Sequence, residues 1–550
     1  MGFGDYRVKS FSFGARPLRR AEDYPTNVKS ACFHSRVMSK ELIRKSLDES
    51  TKERFESRVE TQAEFLREEI RESRLDNSDY TIGLEIEVYC AESDGRLGRF
   101  PSDIYDACGE RLNKELGLHN AEINTSPEVL SKEGLESQES QIRETLKRAE
   151  DALADEGEGK RVVLDSMWTI PPEEGSWEYL NSVEEKDGIL RAKNMRADER
   201  YEAIDNYYLK RVCEPVNISV PGADLSFSTI LPESLATSIQ PHHQIPRADD
   251  LPRYYNTAIR TMAPVLALTT NSPFLPPDLY DSPDETLLDE TYHELRIPVF
   301  EQSVNPPGEY DEKKVRFPRD INRAEDMLDK VIEDRTYSPL LKEWNKDADE
   351  GDEEYTDSFW EFEYKRGTYW RWLRAVIGGD AVSEGNDEKS VRLEYRPLPT
   401  QPSVRDTVGL QALVSGMLAG MSVDKHPLPS LEWEKAYDSF YSAVENGIDA
   451  DIAWVDEDGN VTYDKEVVYE EIFRYARLGL EGHGVGDEVY DRYVEPLRLR
   501  WEERTTPSVW KIERVRENID EGATFEEAVH DMQREYIRLS DEHESFADWI

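Results

Sequence analysis

The chain has 550 residues, 116 Asp and Glu against 68 Lys and Arg, and a formal net charge of −48. That length suits two or three domains, and a hydrophobic content of 38% can bury a sizeable core, which excludes a disordered polyanion. Of the 68 basic residues 45 are Arg.

Acidic excess with scarce Lys is what a salt-adapted cytosol favours, because hydrated carboxylates keep a protein soluble when screening is short-ranged. The composition therefore predicts a cytoplasmic protein of a halophile. Duplex binding needs a broad Lys/Arg footprint, and none is visible, so no nucleic-acid partner is expected. Cys32, Cys90, Cys108 and Cys213 are scattered without a CxxC pair, which argues against a disulfide framework and a Cys-rich zinc site. The first residues lack an apolar h-region, and Arg19-Arg20 runs into a polar segment. Apolar stretches such as Ala263 to Leu268 fall far short of the roughly 18 residues a membrane span requires. No membrane partner is expected either.

Residues 35–75 read as helix, with Leu42, Ile43, Leu47, Phe55, Val59, Leu66 and Ile70 at helical intervals. Asp76-Asn77-Ser78 closes that region. From 80 to about 420 short strands alternate with helical or irregular stretches, interrupted by Pro/Asp-rich loops at 273–289 and 305–320 and an acidic loop at 346–356. Beyond 420 the pattern is mostly helical. The expected division is an N-terminal helical region (1–78), a catalytic domain (79–420) and a helical C-terminal region (421–550).

Several motifs fail on inspection. Glu158-Gly159-Lys160-Arg161 lacks the spacing and the Ser/Thr of a P-loop, and no GxGxxG opens a helix after a strand. Asp456-Glu457-Asp458-Gly459-Asn460 has its Gly in the wrong place for a calcium loop and reads as a hairpin turn.

Five strand candidates carry the chemistry. In Thr81 to Tyr89, Ile82, Leu84, Ile86 and Val88 point to one face, and Gly83, Glu85, Glu87 and Tyr89 to the other. The two carboxylates then stand about 6.6 Å apart along the strand, a spacing that suits hard-cation sites. In His119 to Thr125, Glu122 and Asn124 share a face. Val162 to Ile170 is more apolar and reads as a central strand. Ser238 to Ile245 places Ser238, Gln240, His242 and Gln244 together, with Pro241 suggesting an edge or bulged strand. In Val391 to Arg396, Arg392, Glu394 and Arg396 oppose Val391, Leu393 and Tyr395. Each strand alone is compatible with a merely solvated polar face. Glu, Gln, His and Arg converging on one sheet instead suit a Mg-nucleotide site with an acidic substrate.

Seven segments in order resemble the glutamate–cysteine ligase family of plants and many bacteria. They are Gly83-Leu-Glu85-Ile-Glu87, Ala121-Glu122-Ile-Asn-Thr-Ser-Pro127, Arg200-Tyr201, Ile239-Gln240-Pro-His242, Asn271-Ser-Pro-Phe274, Arg296-Ile-Pro-Val-Phe300 and Leu393-Glu394-Tyr-Arg396. The resemblance implies an α+β fold of the glutamine-synthetase-like type: a curved antiparallel sheet forming a funnel, with helices on its convex side. It implies ATP-dependent joining of the glutamate side-chain carboxylate to an amine, that of cysteine in the glutathione route, through an acyl phosphate. Another amine acceptor, or a non-catalytic nucleotide- or glutamate-binding relative, stays open. Glu85, Glu87, Glu122 and Glu394 would hold Mg²⁺, with Gln240 or His242 completing a site. Arg396 and Arg296 would bind phosphate or the substrate carboxylate; Asn124, Tyr201 and Gln240 would contact substrate or nucleotide. Partners would be small molecules, with a homo-oligomer left open.

The fold is expected to need molar salt, because self-repulsion of a −48 chain opposes compaction when screening is weak. A melting temperature unchanged between about 50 mM and about 2 M KCl would overturn the halophile reading.

Overall fold

The computed structural model describes residues 40–155, 159–212, 215–306, 313–344, 355–378, 382 and 389–550. Cys32, Cys213, Glu158, the stretch before residue 40 and positions 346–354 of the acidic loop lie outside the described residues.

A nine-stranded antiparallel sheet organises the molecule. Its strands are β1 (Thr81–Ala91), β2 (Leu112–Lys114), β3 (Asn120–Asn124), β4 (Glu128–Val129), β5 (Arg161–Val163), β6 (Ser238–Ile245), β7 (Leu373–Ile377), β8 (Val391–Tyr395) and β9 (Leu398–Pro399). The main order is β7-β8-β6-β1-β3-β2; β4 and β5 flank the two ends of β1, and β9 extends the β8 side of β6. The fold is thus mixed helix and antiparallel sheet, as the resemblance implied.

Alternation gives the sheet two different faces. Ile82, Leu84, Ile86, Val88, Ile123, Ile239, Ile245, Val391, Leu393 and Leu373 are buried on the apolar one. Burying each such side chain is worth about 1.5–3 kcal/mol before chain entropy is counted. Across the strands, Gly83 pairs with His242, Glu85 with Gln240 and Asn124, Glu87 with Glu122, and His242 with Glu394. Residues paired in register share a face. The polar residues of four strands therefore meet on the other side.

Two strand expectations need correction. Ser238–Ile245 is neither edge nor bulged: β6 is central, paired with β1 on one side and β8 on the other. Pro241 is tolerated because the β8 ladder stops at His242–Glu394 and β9 resumes it at Ile239–Leu398. Opposite Pro241, the amide of Leu84 turns away and donates to Thr125 Oγ1 at 3.0 Å. Val162 to Ile170 is not a central strand. Only Arg161–Val163 pairs as a strand, at the far end of β1; beyond it Met167 makes a lone antiparallel bridge to Ala236.

Helices pack on the apolar face. Those used below are α1 (Glu49–Arg71), α2 (Glu199–Val212), α3 (Leu251–Ala267), α4 (Arg296–Val304), α5 (Val404–Val423), α6 (Lys465–Gly482), α7 (Pro507–Asp520) and α8 (Phe525–Glu542). Helix α1 buries Phe55, Val59, Ala63, Leu66 and Ile70, and its Gln62 bonds both Glu361 and the amide of Phe362. The boundary proposed at 420 falls inside α5, and residues beyond it share the same hydrophobic core. Lys511 of α7 donates to Asp165 at 2.6 Å and to the Asn271 carbonyl at 2.8 Å. Gln533 of α8 donates to the other Asp165 oxygen at 2.8 Å and to Tyr89 of β1 at 3.2 Å. The turn at Gly459, with φ of 84°, joins a short hairpin as expected.

Helices α5 and α6 cross at backbone distance through Gly416, Gly420 and Gly479. A Cβ on Gly479 would stand 1.9 Å from the Gly416 carbonyl oxygen. The close crossing matters to the polar face, because Gln411 of α5 donates to the His242 carbonyl at 3.1 Å. Gly479→Ala should cost about 3 kcal/mol through overpacking, read as a lowered denaturant midpoint at constant m-value. An unchanged midpoint would show that the crossing can relax.

Candidate active site

The polar face gathers two groups of ligand-type side chains. Glu85, His242 and Glu394 form one, with potential ligand atoms all within 4.8 Å of one another; Glu87, Glu115 and Glu122 form the other on the same criterion. All five residues assigned to metal from the sequence therefore fall into these groups, and Glu115 joins them. The pairing splits the acids into two sites, which strand alternation alone did not show.

In the first group His242 Nε2 lies 3.3 Å from Glu85 Oε1. Gly83, opposite His242, keeps a side chain off the imidazole; a Cβ there would already touch His242 Cβ at 3.5 Å. Glu394 is only 1% exposed. Arg374 Nε donates to its Oε2 at 2.7 Å, and Arg396 Nη1 donates to its Oε1. Burial alone would raise the Glu394 pKa, but Arg374, Arg396 and His242 outweigh it and hold the carboxyl well below the usual range. Glu85 is held low in the same way: burial opposes its charge and His242 overcomes the penalty. Both carboxylates are ionised near neutrality.

The second group behaves oppositely. Burial, then the charges of Glu85 and Glu115, push the Glu122 carboxyl well above the carboxylate range. Glu122 Oε1 accepts from Asn124 Nδ2 at 2.9 Å, while its buried Oε2 has no hydrogen-bond partner. Glu87 Oε2 accepts from the amide and hydroxyl of Ser238 at 2.8 and 3.2 Å. An all-oxygen cluster with a buried, unsatisfied carboxylate oxygen fits a hard divalent cation. The mixed nitrogen and oxygen set of the first group also admits Mn²⁺.

The remaining expected residues lie around these groups. Gln240 is fully buried; its Oε1 accepts from Arg396 and its Nε2 has no partner. Tyr201, in the first turn of α2, is buried, and burial followed by the Glu115 charge raises its phenol well above the ordinary value. Arg296, the first residue of α4, points elsewhere. It is fully buried, its Nε sits 3.1 Å from Glu294 Oε1, it donates to the Pro397 carbonyl, and its guanidinium lies 5.4 Å from the Trp372 ring centre. Burial pushes its pKa down to about 10 against the pull of Glu294.

Sequence reasoning missed Glu115 and Arg374. Glu115 follows a three-residue strand too short to show alternation. Arg374 sits in Leu373-Arg374-Ala375-Val376-Ile377, which reads as apolar apart from that residue. The signal that could have found it was strand parity, which sets Arg374 opposite Glu394 in the β7–β8 ladder.

Residues 81–540 match the family model described as glutamate-cysteine ligase family 2. The chain belongs to that family. Membership makes it a carboxylate–amine ligase, an enzyme forming a C–N bond. No curated protein matches the sequence. Among solved structures it is similar to the glutamate–cysteine ligase of Francisella tularensis in complex with AMP, at 12% identity over 86% of this chain and 90% of that one, with a TM-score of 0.49. It is also similar to a bifunctional glutathione synthetase from Pasteurella multocida, at 13% identity over 84% of this chain and a TM-score of 0.49. The chain spans about half of that protein, 53% of its length. The described residues contain no helix long and apolar enough to cross a membrane.

Glu294 also accepts from the Asn271 amide at 2.9 Å and the Ser272 hydroxyl at 2.7 Å. Glu294→Gln leaves Arg296 buried without its counter-charge, so the variant should lose about 3–5 kcal/mol. Chemical denaturation reads this directly. Wild-type stability would mean that Arg296 is neutralised from another direction.

Proposed function

We propose that the chain joins the side-chain carboxylate of glutamate to the amine of cysteine, using ATP and Mg²⁺, through an acyl phosphate. The observation that carries this reading is the convergence of two carboxylate-rich clusters and a row of Arg on one sheet face, in a chain of the glutamate–cysteine ligase family.

A carboxylate resists amide formation because its leaving group would be oxide. Attack of a carboxylate oxygen on the terminal phosphorus of ATP releases ADP and converts that oxygen into part of a phosphate leaving group. The amine then attacks the acyl carbon; the carbon–oxygen bond to phosphate breaks, the C–N bond forms and the ammonium loses its proton. Positioning and charge neutralisation dominate such chemistry.

Glu85, His242 and Glu394 would hold one cation and Glu87, Glu115 and Glu122 a second. Bound Mg²⁺ would draw negative charge from the phosphate oxygens. Arg396, beside Glu394, is the group to neutralise the transferred phosphate or the substrate carboxylate. Arg296, tied to Glu294 and to the Pro397 carbonyl, keeps a structural part in place of the phosphate contact expected of it. Gln240 and Asn124, the register partners of Glu85, and Tyr201, near Glu115, would orient substrate. The presence of all four acids, Glu85, Glu87, Glu122 and Glu394, speaks against a non-catalytic relative that has lost its metal ligands. The reading places the enzyme in the cytoplasm, where ATP and glutamate are found.

The test is phosphate release in high KCl with Mg-ATP, glutamate and a panel of amines. Cysteine should give the highest kcat/KM; release with another amine alone would replace the acceptor and keep the ligase. Glu87→Gln keeps an oxygen for the Ser238 amide while removing the charge. Turnover should fall about 100-fold or more, a transition-state loss of about 2.7 kcal/mol, with unchanged melting. Wild-type turnover in the folded variant would return Glu87 to a plain structural role.

A further inference from the structure

Arg392 stands on the polar face two residues from Glu394 on β8, with Gln244 of β6 and Val376 of β7 as its register partners. Among the described residues its side chain makes no hydrogen bond or ion pair, although its Nε is buried. Every other Arg near Glu394 is engaged: Arg374 and Arg396 bind Glu394, and Arg366 grips both oxygens of Glu363 at 2.9 Å. Burial and then the neighbouring Arg366 charge push the Arg392 guanidinium below its ordinary range, with Glu85 and Glu394 opposing.

Setting aside the matched Arg366–Glu363 pair, the charges at this end are Arg374, Arg392 and Arg396 against Glu85 and Glu394. The excess is one positive charge before His242 is counted. A divalent cation at Glu85, His242 and Glu394 would raise it to three. Water-poor surroundings do not sustain such an excess without an anion of matching charge, and a polyphosphate carries three to four negative charges.

We propose that Arg392 binds an oxygen of the nucleotide's polyphosphate, on the opposite side of Glu394 from Arg396. The proposal rests on the ligase reading for the identity of the anion, while the site stands on the unpartnered guanidinium. Arg392 and Arg396 flank Glu394 along the strand at about 6.6 Å each, so an extended polyphosphate can meet both while it caps the cation between them. Glutamate, whose two carboxylates and ammonium leave one net negative charge, cannot match that excess.

Calorimetric titration of wild type, Arg392→Gln and Arg392→Lys with Mg-ATP, Mg-tripolyphosphate and glutamate tests this. The Gln variant should bind both polyphosphates about tenfold or more weakly, bind glutamate as wild type does, and melt no lower, since no contact is lost. The Lys variant should recover part of the affinity. Unchanged Mg-ATP affinity in Arg392→Gln would overturn the proposal, as would weakened glutamate binding with Mg-ATP unaffected, which would make Arg392 a carboxylate site. Wild type that takes tripolyphosphate through Arg392 but not Mg-ATP would overturn the ligase reading and keep the anion site. Binding of neither would overturn both.

Discussion

The structure depends on how one face of a sheet keeps carboxylates almost out of water. An unpaired buried charge costs several kcal/mol, so each acid must find a counter-charge or keep its proton. Glu394 takes the first course. Its partners come from three segments of the sheet, Arg374 on β7, Arg396 just past the end of its own β8 and His242 on β6. A register slip of one residue in any of them would send the partner to the apolar face and strand the charge. The same contacts that prepare a ligand therefore also specify the pairing. Glu122 takes the second course and retains a high proton affinity beside Glu115 and Glu85. The two clusters share a face yet differ in electrostatic character.

Support for that face comes from far along the chain. The Gly-lined crossing of α5 and α6 presses α5 onto β6, where Gln411 fixes the His242 carbonyl. Lys511 and Gln533 close a buried network on Asp165 and Tyr89. Lys511 is itself fully buried, and burial lowers its pKa against the opposing pull of Asp165. These links explain why the family match extends to residue 540 instead of ending with the last sheet strand. The helices after 420 are part of what holds β1 in place.

Much of this was legible in the sequence where the cause was local. Alternation in Thr81 to Tyr89 fixed which side Glu85 and Glu87 would take, and the Val391 to Arg396 pattern did the same for Glu394 and Arg396. What failed depended on partners distant in sequence. Pro241 signals an edge when β6 is considered alone; only the gap between β8 and β9 makes a central position tolerable. Asp165 to Ile170 is buried without forming a strand, and its sheet-like contact is a single bridge from Met167 to Ala236. The division of the acids into two clusters follows from the β1–β3 and β1–β6 registers, which no single strand encodes. Arg296 looked like a ligand-binding residue because its burial, and its pairing with Glu294 two positions away, appear only in the folded chain.

The charge of the whole chain and the charge of the site then act on different length scales. A chain summing to −48 repels anions such as a carboxylate or a polyphosphate at long range. In about 1 M salt the Debye length is about 3 Å, which removes most of that repulsion. The same salt does little to groups that solvent barely reaches. Arg374 and Arg396 are 2% and 3% exposed, so their attraction survives conditions that silence the surface. A strongly acidic protein can thus present an Arg-rich pocket to an anion without changing its composition, provided that the basic residues are placed inside and the acidic excess outside. The preference for Arg over Lys in the chain fits that arrangement. Guanidinium is the more weakly hydrated cation and the one that tolerates burial beside a carboxylate with its fork engaged.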